Sequence, residues 1–384
     1  MKKILIIHTE YTETGGEDIA VGKEIEFLSK YYQLETLIFE NTLNLNLKEI
    51  NALIINNNKE SVKKLILKIN EFKPDYVYIH NLWFRASLGI LGYLLKNGHN
   101  VFIKLHNFRY DCTKSFFSSV HLQKENICNA CGLEKNKVGF INKYYEDSFI
   151  KSLLVNNFGR KYFKMLKSND LKILTMTNHH KEHLINLGVN KKNIYVQPNP
   201  IEKKDVDFVN KMKRKNQIVY AGRISKEKGL QELIETWESL EVKDFKLIII
   251  GEGPLYENLK KKDLKSIEII GYKENNEVIK IINESKAVVT ATKLFEGQPT
   301  LLCEASALSV PAIFPDSGGI KDFFPPNNRF KFQQYNYFEL GEKLQDIIDS
   351  DDTGYQGLKN QKFIYDYLSE ENLIGSFNSI LESK

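Results

Sequence analysis

Short, uninterrupted apolar runs alternate with amphipathic stretches along all 384 residues. In the first half the runs fall at 4–7, 35–39, 76–79, 101–105, 173–176 and 194–196, with helical patterns between them at 18–30, 61–72 and 88–96. The second half repeats the order with runs at 217–220, 246–250, 267–270, 287–290 and 311–314. Runs rich in β-branched residues and lacking polar alternation suit strands covered on both faces, and the intervening helices supply the cover. Two such series in tandem predict an α/β protein of two doubly wound, Rossmann-like domains. Gln197-Pro198-Asn199-Pro200 continues neither kind of element, and 202–216 is polar and lysine-rich, which puts a hinge near Asn199. The expected division is 1–199, 200–365, and a helical segment 366–384 crossing back onto the first domain. Residues 110–138 break the alternation and read as an irregular insertion. The Asn/Lys/Leu-rich patches 41–47 and 56–59 read as solvated loops.

Composition narrows the class. Hydrophobic residues make up 42% and charged residues 27%, as in ordinary globular proteins. The net charge of +5 comes from 54 basic and 49 acidic residues. That balance speaks against a nucleic-acid binder and is compatible with anionic substrates or a lipid surface. No apolar run approaches the roughly 18–20 residues that span a bilayer. After Met1-Lys2-Lys3 the apolar stretch Ile4-Leu5-Ile6-Ile7 turns polar at His8-Thr9-Glu10, too soon for a signal peptide, so it reads as a buried strand. A cytoplasmic location is expected. Four cysteines in a chain of this length do not suggest a disulfide scaffold.

The candidate chemistry stands at the carboxyl ends of the runs. Gly15-Gly16 separate the first run from the first helix, where backbone can approach a ligand and a helix N-terminus favours anions. A plain turn would have the same sequence, and the spacing is not the dinucleotide G-x-G-x-x-G. Ala221-Gly222-Arg223-Ile224-Ser225-Lys226-Glu227-Lys228-Gly229 follows the first run of the second series. Arg223 and Lys228 could meet one diphosphate, the guanidinium as a fork and the ammonium as a point charge; a solvated basic loop is the alternative. Gly251-Glu252-Gly253-Pro254 follows the next run, with Pro254 suited to the first helical position and glycines as apt for a turn as for a ligand. Gly271-Tyr272 ends the run after that, where backbone could read a base edge.

His106 follows the 101–105 run and His80 the 76–79 run. A single histidine is more often structural, but this location supports proton handling or transition-state stabilisation by His106, with His80 shaping the site. In Phe295-Glu296-Gly297-Gln298-Pro299-Thr300-Leu301-Leu302-Cys303-Glu304, two carboxylates stand eight positions apart around a proline that can start a helix. One acid then sits at the helix mouth and the other about one turn inside. That arrangement suits a ligand with hydroxyls at both ends and phosphates in the middle, such as a nucleotide-sugar. Cys112, Cys128 and Cys131 could hold a structural zinc if His121 or another group completed the set, free thiols being the simpler alternative. Residues 149–167 mix apolar side chains with Lys151, Arg160, Lys161, Lys164 and Lys167, and could lie on an anionic membrane or form an ordinary basic surface helix.

In this order the motifs resemble glycosyltransferase family 4, retaining enzymes of the GT-B architecture, in particular those of bacterial polysaccharide synthesis. Gly15-Gly16, His106, Arg223 with Lys228, Gly251 to Pro254, and Glu296 through Glu304 carry the resemblance over most of the chain. It implies two Rossmann-like domains facing across a cleft, the first for the acceptor and the second for the nucleotide-sugar. It further implies Glu304 on the ribose hydroxyls, Glu296 on the donor sugar, and the amides of Gly297, Gln298, Thr300 and Leu301 toward the phosphates. Arg223 and Lys228 would neutralise the diphosphate, backbone at Tyr272 would lie near the base, and His106 beside the transferred sugar. Asn107 stands where many relatives have Asp, and Gln298 where many have a bulky apolar residue.

The reaction so implied moves a hexose-type sugar from a nucleoside diphosphate, UDP by family preference, to an acceptor hydroxyl of a glycan or lipid-linked sugar with retention of configuration. No cofactor is expected, and no divalent metal, since no Asp-x-Asp stands among these motifs. A GT-B-like nucleotide-sugar epimerase and a catalytically silent partner protein are the competing expectations.

Overall fold

The computed structural model describes residues 1–12, 15–41, 46–108, 110, 148–201, 214–350 and 354–383. Its strands are β1 (Lys3–Glu10), β2 (Gln33–Glu40), β3 (Tyr76–Ile79), β4 (Val101–Leu105), β5 (Leu171–Thr175), β6 (Ile194–Val196), β7 (Lys215–Ala221), β8 (Lys246–Ile250), β9 (Ile267–Gly271), β10 (Ser285–Val289), β11 (Ala312–Pro315) and β12 (Lys331–Phe332). Its helices are α1 (Gly16–Ser29), α2 (Leu47–Ile55), α3 (Lys59–Phe72), α4 (Leu88–Lys96), α5 (Phe149–Leu166), α6 (Asn178–Asn186), α7 (Leu230–Ser239), α8 (Tyr256–Lys260), α9 (Asn275–Asn283), α10 (Thr300–Ala307), α11 (Tyr337–Asp349), α12 (Gly354–Tyr367) and α13 (Glu370–Glu382). The described residues fall into two compact units, one of residues up to 200 together with those from 375 onward, the other of 201–374.

Each unit is built on a six-stranded sheet whose pairs are all parallel. The first has the order β2-β1-β3-β4-β5-β6, the second β12-β11-β10-β7-β8-β9. The layered logic is visible in β1, where Ile4 to Thr9 are buried without interruption, as in a parallel strand covered on both faces. Edge strand β2 pairs with β1 alone, and only Phe39 of its eight residues is buried. In the second unit Ile218, Leu247, Ile249, Val289 and Ile313 form a core with Leu233 and Trp237 of α7 and Leu340 and Leu344 of α11.

Three details depart from the pattern-based expectation. Helix α2 fills the stretch between the two patches read as loops, for which the pattern predicts no element, and its start is a reciprocal cap: Glu49 N–H donates to Asn46 Oδ1 and Asn46 N–H to Glu49 Oε2, both at 3.0 Å. Strand β12 is two residues long, too short to leave a hydrophobic signature. The segment grouping with the first unit begins at 375 rather than 366. There Phe377 packs on Tyr32 and Tyr78, and Lys172 Nζ donates to the Ile380 carbonyl at 2.9 Å.

Candidate functional site

In a doubly wound sheet the ligand crevice lies outside the carboxyl ends of the strands, where the winding reverses. In the second unit β7, β8 and β9 run outward in one direction and β10 returns to the other edge of β7. The reversal therefore falls between the loops after β7 and β10, the loops that carry Arg223, Lys228 and Glu296. Lys228 Nζ lies 2.5 Å from Glu296 Oε1, which also accepts from Thr292 Oγ1 at 2.8 Å. Lys293 N–H donates to the Glu227 carbonyl at 3.0 Å, and the Lys293 ammonium pairs with Glu232 of α7. Gly229, at φ +69°, allows the closest approach, since a Cβ there would stand 1.9 Å from the Ala291 carbonyl oxygen. The two loops thus form one surface, and the sequence-distant Lys228 and Glu296 meet on it as half-buried partners.

Glu296 is anchored from behind by Gly319 N–H, which donates to its carbonyl at 2.9 Å. Pro299 occupies the cap position of α10 and Thr300 is its first helical residue, so the proline stands one place earlier than the first helical position. The first turn-closing bond runs from Cys303 N–H to the Pro299 carbonyl at 3.0 Å. The amides of Thr300, Leu301 and Leu302 precede it and form the positive mouth of the helix. Glu304 lies one turn in, partly buried, and accepts from Asn275 Nδ2 at 3.3 Å. Gln298 hydrogen-bonds the buried Cys303 thiol, whose pKa burial pushes well up. A polar residue here therefore has a partner within its own loop. At the far end, Arg214 closes the helix by donating to the Leu308 and Ser309 carbonyls at 3.1 Å.

The remaining second-unit residues divide. Arg223 is exposed on the turn leaving β7, its carbonyl accepting from Tyr220 Oη at 2.8 Å. Gly251 (φ +132°) lies so close to the Gly222 carbonyl that a Cβ would meet it at 2.0 Å, so chain packing alone requires this glycine. Pro254 sits in a turn two residues before α8 rather than at its first position, and the next residue, Leu255, donates its N–H to the Ile224 carbonyl at 3.1 Å. Tyr272 is exposed beyond β9, its hydroxyl donating to Glu274 at 3.3 Å.

In the first unit the reversal lies between β1 and β3. Gly15 caps α1 and Gly16 begins it, both with unstrained backbone. Gly15 N–H donates to Asp18 Oδ2 at 2.8 Å, and Asp18 Oδ1 lies 2.8 Å from His8 Nε2. A Cβ on Gly16 would meet nothing among the described residues, so packing does not call for this glycine. His106 Nε2 and His80 Nδ1 are hydrogen-bonded at 3.0 Å. Burial holds both imidazoles well below the usual histidine range; for His106 the next cause is His80, and for His80 it is Lys104. Beneath them Lys104 Nζ and Glu24 Oε2 form a buried pair at 2.7 Å, with Tyr78 Oη donating to Glu24 Oε1 at 2.7 Å. A small pocket is lined by His80, Trp83, His106, Asn107, Glu17 and Phe158, among others.

Thr292, Asn275 and Gly319 carry no sequence signal of their own, and Glu17 carries only that of a helix-start acid. They emerge only from three-dimensional pairing with the acids and with Asn107. Cys112, His121, Cys128 and Cys131 lie outside the described residues, as do Asp205 and Asp207 of an Asp-x-Asp spacing in the 202–216 linker. Among the described residues no cluster of three or more His, Cys, Asp or Glu is arranged to hold a metal ion, and no helix is long and apolar enough to cross a membrane.

Residues 202–364 match the family model described as Glycosyl transferases group 1. The amylovoran biosynthesis glycosyltransferase AmsD of Erwinia amylovora is 28% identical over 195 residues, 45% of this chain and 54% of that protein. The teichuronic acid biosynthesis glycosyltransferase TuaC of Bacillus subtilis, a name given as putative for that protein, is 36% identical over 126 residues, 33% of this chain and 31% of its own length. The matched part thus spans about half or less of these curated relatives. Among solved structures, HepE of Anabaena in complex with UDP superposes with a TM-score of 0.66 at 12% identity over 100% of both chains. The lipopolysaccharide outer core galactosyltransferase WaaB superposes at 0.64 and 17% identity, over 98% of this chain and 99% of that one. At these identities the likeness is one of fold, and the fold is GT-B.

Proposed function

We propose that the chain is a retaining glycosyltransferase of bacterial polysaccharide synthesis, transferring a hexose from a nucleoside diphosphate to a sugar acceptor. The observation that carries this is the Lys228–Glu296 pair, set with Arg223 at the winding reversal of the stretch that matches the group 1 family model. Breaking the anomeric C–O bond builds charge on the departing diphosphate, and preorganised cations and helix N–H groups aimed there lower the barrier. Arg223 and Lys228 take that part, with the amides from Gly297 to Leu301. Glu304 is assigned to the ribose hydroxyls, Glu296 to the donor sugar, Tyr272 backbone to the base, and Gly15-Gly16 to the donor as well. Glu296 already holds Lys228, so sugar recognition and charge placement are coupled through one carboxylate.

No carboxylate is assigned as a covalent nucleophile, so same-face attack assisted by the leaving phosphate is the favoured course, without a required divalent cation. His106, kept neutral by burial, serves the transferred sugar as a hydrogen-bonding group rather than as a cation. UDP is the proposed donor base; the UDP and UDP-glucose complexes of HepE, a protein of the same fold, support it. The first unit is assigned to the acceptor. Exposed Phe149, Ile150 and Leu153 on basic helix α5 support contact with an anionic membrane, which flotation with anionic lipid vesicles checks.

Calorimetric titration of the full chain with UDP-, GDP- and ADP-sugars tests the reading. One nucleotide-sugar should bind, and Glu304→Ala should weaken it. Absence of binding by every donor would overturn the proposal. An epimerised sugar nucleotide formed from donor alone would replace transfer with isomerisation.

A further inference from the structure

The loop after β10 holds Glu296 in a frame built from elsewhere in the second unit. Three successive carbonyls of that loop accept from side chains of the turn between β12 and α11. Gln334 Nε2 donates to the Thr292 carbonyl at 3.1 Å and to that of Leu294 at 3.3 Å, and Tyr335 Oη donates to that of Lys293 at 3.0 Å. Within the frame Thr292 is buried. Its hydroxyl accepts from Leu294 N–H at 3.2 Å and donates to Glu296 Oε1 at 2.8 Å. A hydroxyl has one hydrogen to give, and here it is given to Glu296. Lys228 Nζ donates to the same Oε1 at 2.5 Å. Oε1 therefore holds two donors, whereas Oε2 bonds no group among the described residues. A carboxylate held by one long, flexible ammonium can still turn about its terminal torsion, which is broad. A second donor on a buried β-branched side chain, stiff at χ1, fixes its plane. Direction matters to a ligand, because a hydrogen bond weakens steeply as its angle closes.

We propose that Thr292 is a positioning residue for recognition of the donor sugar: it sets the plane of the Glu296 carboxylate so that Oε2 accepts from a sugar hydroxyl while Oε1 stays with Lys228. This rests on the glycosyltransferase reading and deepens it by giving the two oxygens of one acid separate tasks. Lys228, with one hydrogen on Oε1, keeps its other two for the diphosphate. Gln334 and Tyr335 support the arrangement from behind, since they hold the backbone on which Thr292 stands.

The test is calorimetric titration of the full chain with UDP-, GDP- and ADP-glucose and UDP-N-acetylglucosamine, each beside its parent nucleoside diphosphate. For the nucleotide-sugar that the wild type binds, Thr292→Val should weaken binding about threefold to tenfold, the scale of one hydrogen bond to a charged group. The parent diphosphate, which has no sugar to orient, should keep its wild-type affinity. Thr292→Ser retains the hydroxyl and should restore the nucleotide-sugar. In a Glu296→Gln background the valine change should add no further loss, as expected if Thr292 acts through that carboxylate. Should the valine protein fail to fold, Thr292→Ala, which adds no bulk, carries the same comparison. Wild-type affinity for the nucleotide-sugar in the hydroxyl-free variant overturns the proposal. So does an equal loss for nucleotide-sugar and diphosphate, which is what a merely structural threonine would give. A wild type that binds none of the four sugars strikes the transferase reading itself, and the proposal falls with it.

Discussion

The two units share a parallel, doubly wound sheet but stabilise its carboxyl edge by different means. In the first, polar side chains are carried inside: Lys104 with Glu24 and Tyr78, His80 with His106, His8 with Asp18. In the second, the strand ends are joined through backbone, as in Gly222 N–H to the Ile250 carbonyl at 3.0 Å, Gly251 N–H to that of Gly271 at 2.9 Å, and Ile224 N–H to that of Glu252 at 2.8 Å. Of the charged side chains there, Arg223 is exposed, and Lys228 is half-buried against Glu296. One topology thus accommodates either an edge fixed by buried polar groups or one fixed by close-packed backbone.

The largest expected effect strikes the first kind of edge. Lys104→Ala leaves Glu24 as an unpaired buried charge and should cost about 3–5 kcal/mol in urea unfolding. The double change Glu24→Gln with Lys104→Met removes both charges, keeps an acceptor for Tyr78, and should recover most of that loss. If the single variant costs less than about 1 kcal/mol, the contrast between the edges fails. On the other edge, Gly251→Ala should cost about 3 kcal/mol, since the new Cβ meets backbone that cannot rotate away. A thermal midpoint equal to wild type would show the backbone seam to be loose.

Next come the cations after β7. Arg223→Ala or Lys228→Ala should lower turnover on the order of 10²-fold if each stabilises leaving-group charge, while the unfolding midpoint moves little. Unchanged turnover in both removes that role. The smallest effect concerns pH. Unfolded histidine titrates near about 6.5, whereas folded His80 and His106 take up protons only well below that. As pH falls through this window the unfolded chain binds more protons, so stability declines toward acid and is fully present above about pH 6.5. His106→Asn should flatten the decline by up to about 1.4 kcal/mol per pH unit, measurable as melting midpoints from pH 7 to 5. Parallel slopes would mean that His106 is not protected from protonation.

The fold was legible because buried parallel strands leave unmistakable runs, and eleven of the twelve described strands coincide with one. Helix α2 was not, since its nine residues are flanked on both sides by patches that read as loop. At the site, Arg223, Lys228, Glu296 and Glu304 were visible by their place after strands. That Lys228 should meet Glu296 was not, because the pairing depends on β10 returning beside β7, a property of strand order that residue type does not encode. Gly251 shows the converse: a glycine in a ligand-like motif is already required by the neighbouring carbonyl. Glu17 reads in the sequence as one of the acids that favour a helix start, and its bonds to Asn107 and Tyr11 appear only in three dimensions.

The packing of Phe377 on Tyr32 and Tyr78 has a temporal consequence. The first unit is interrupted in sequence by the whole of the second, so a nascent chain can complete the second unit before the residues that seal the first leave the ribosome. Until then Tyr32 and Tyr78 lack the ring that packs on them. The domain made first is thus the domain finished last.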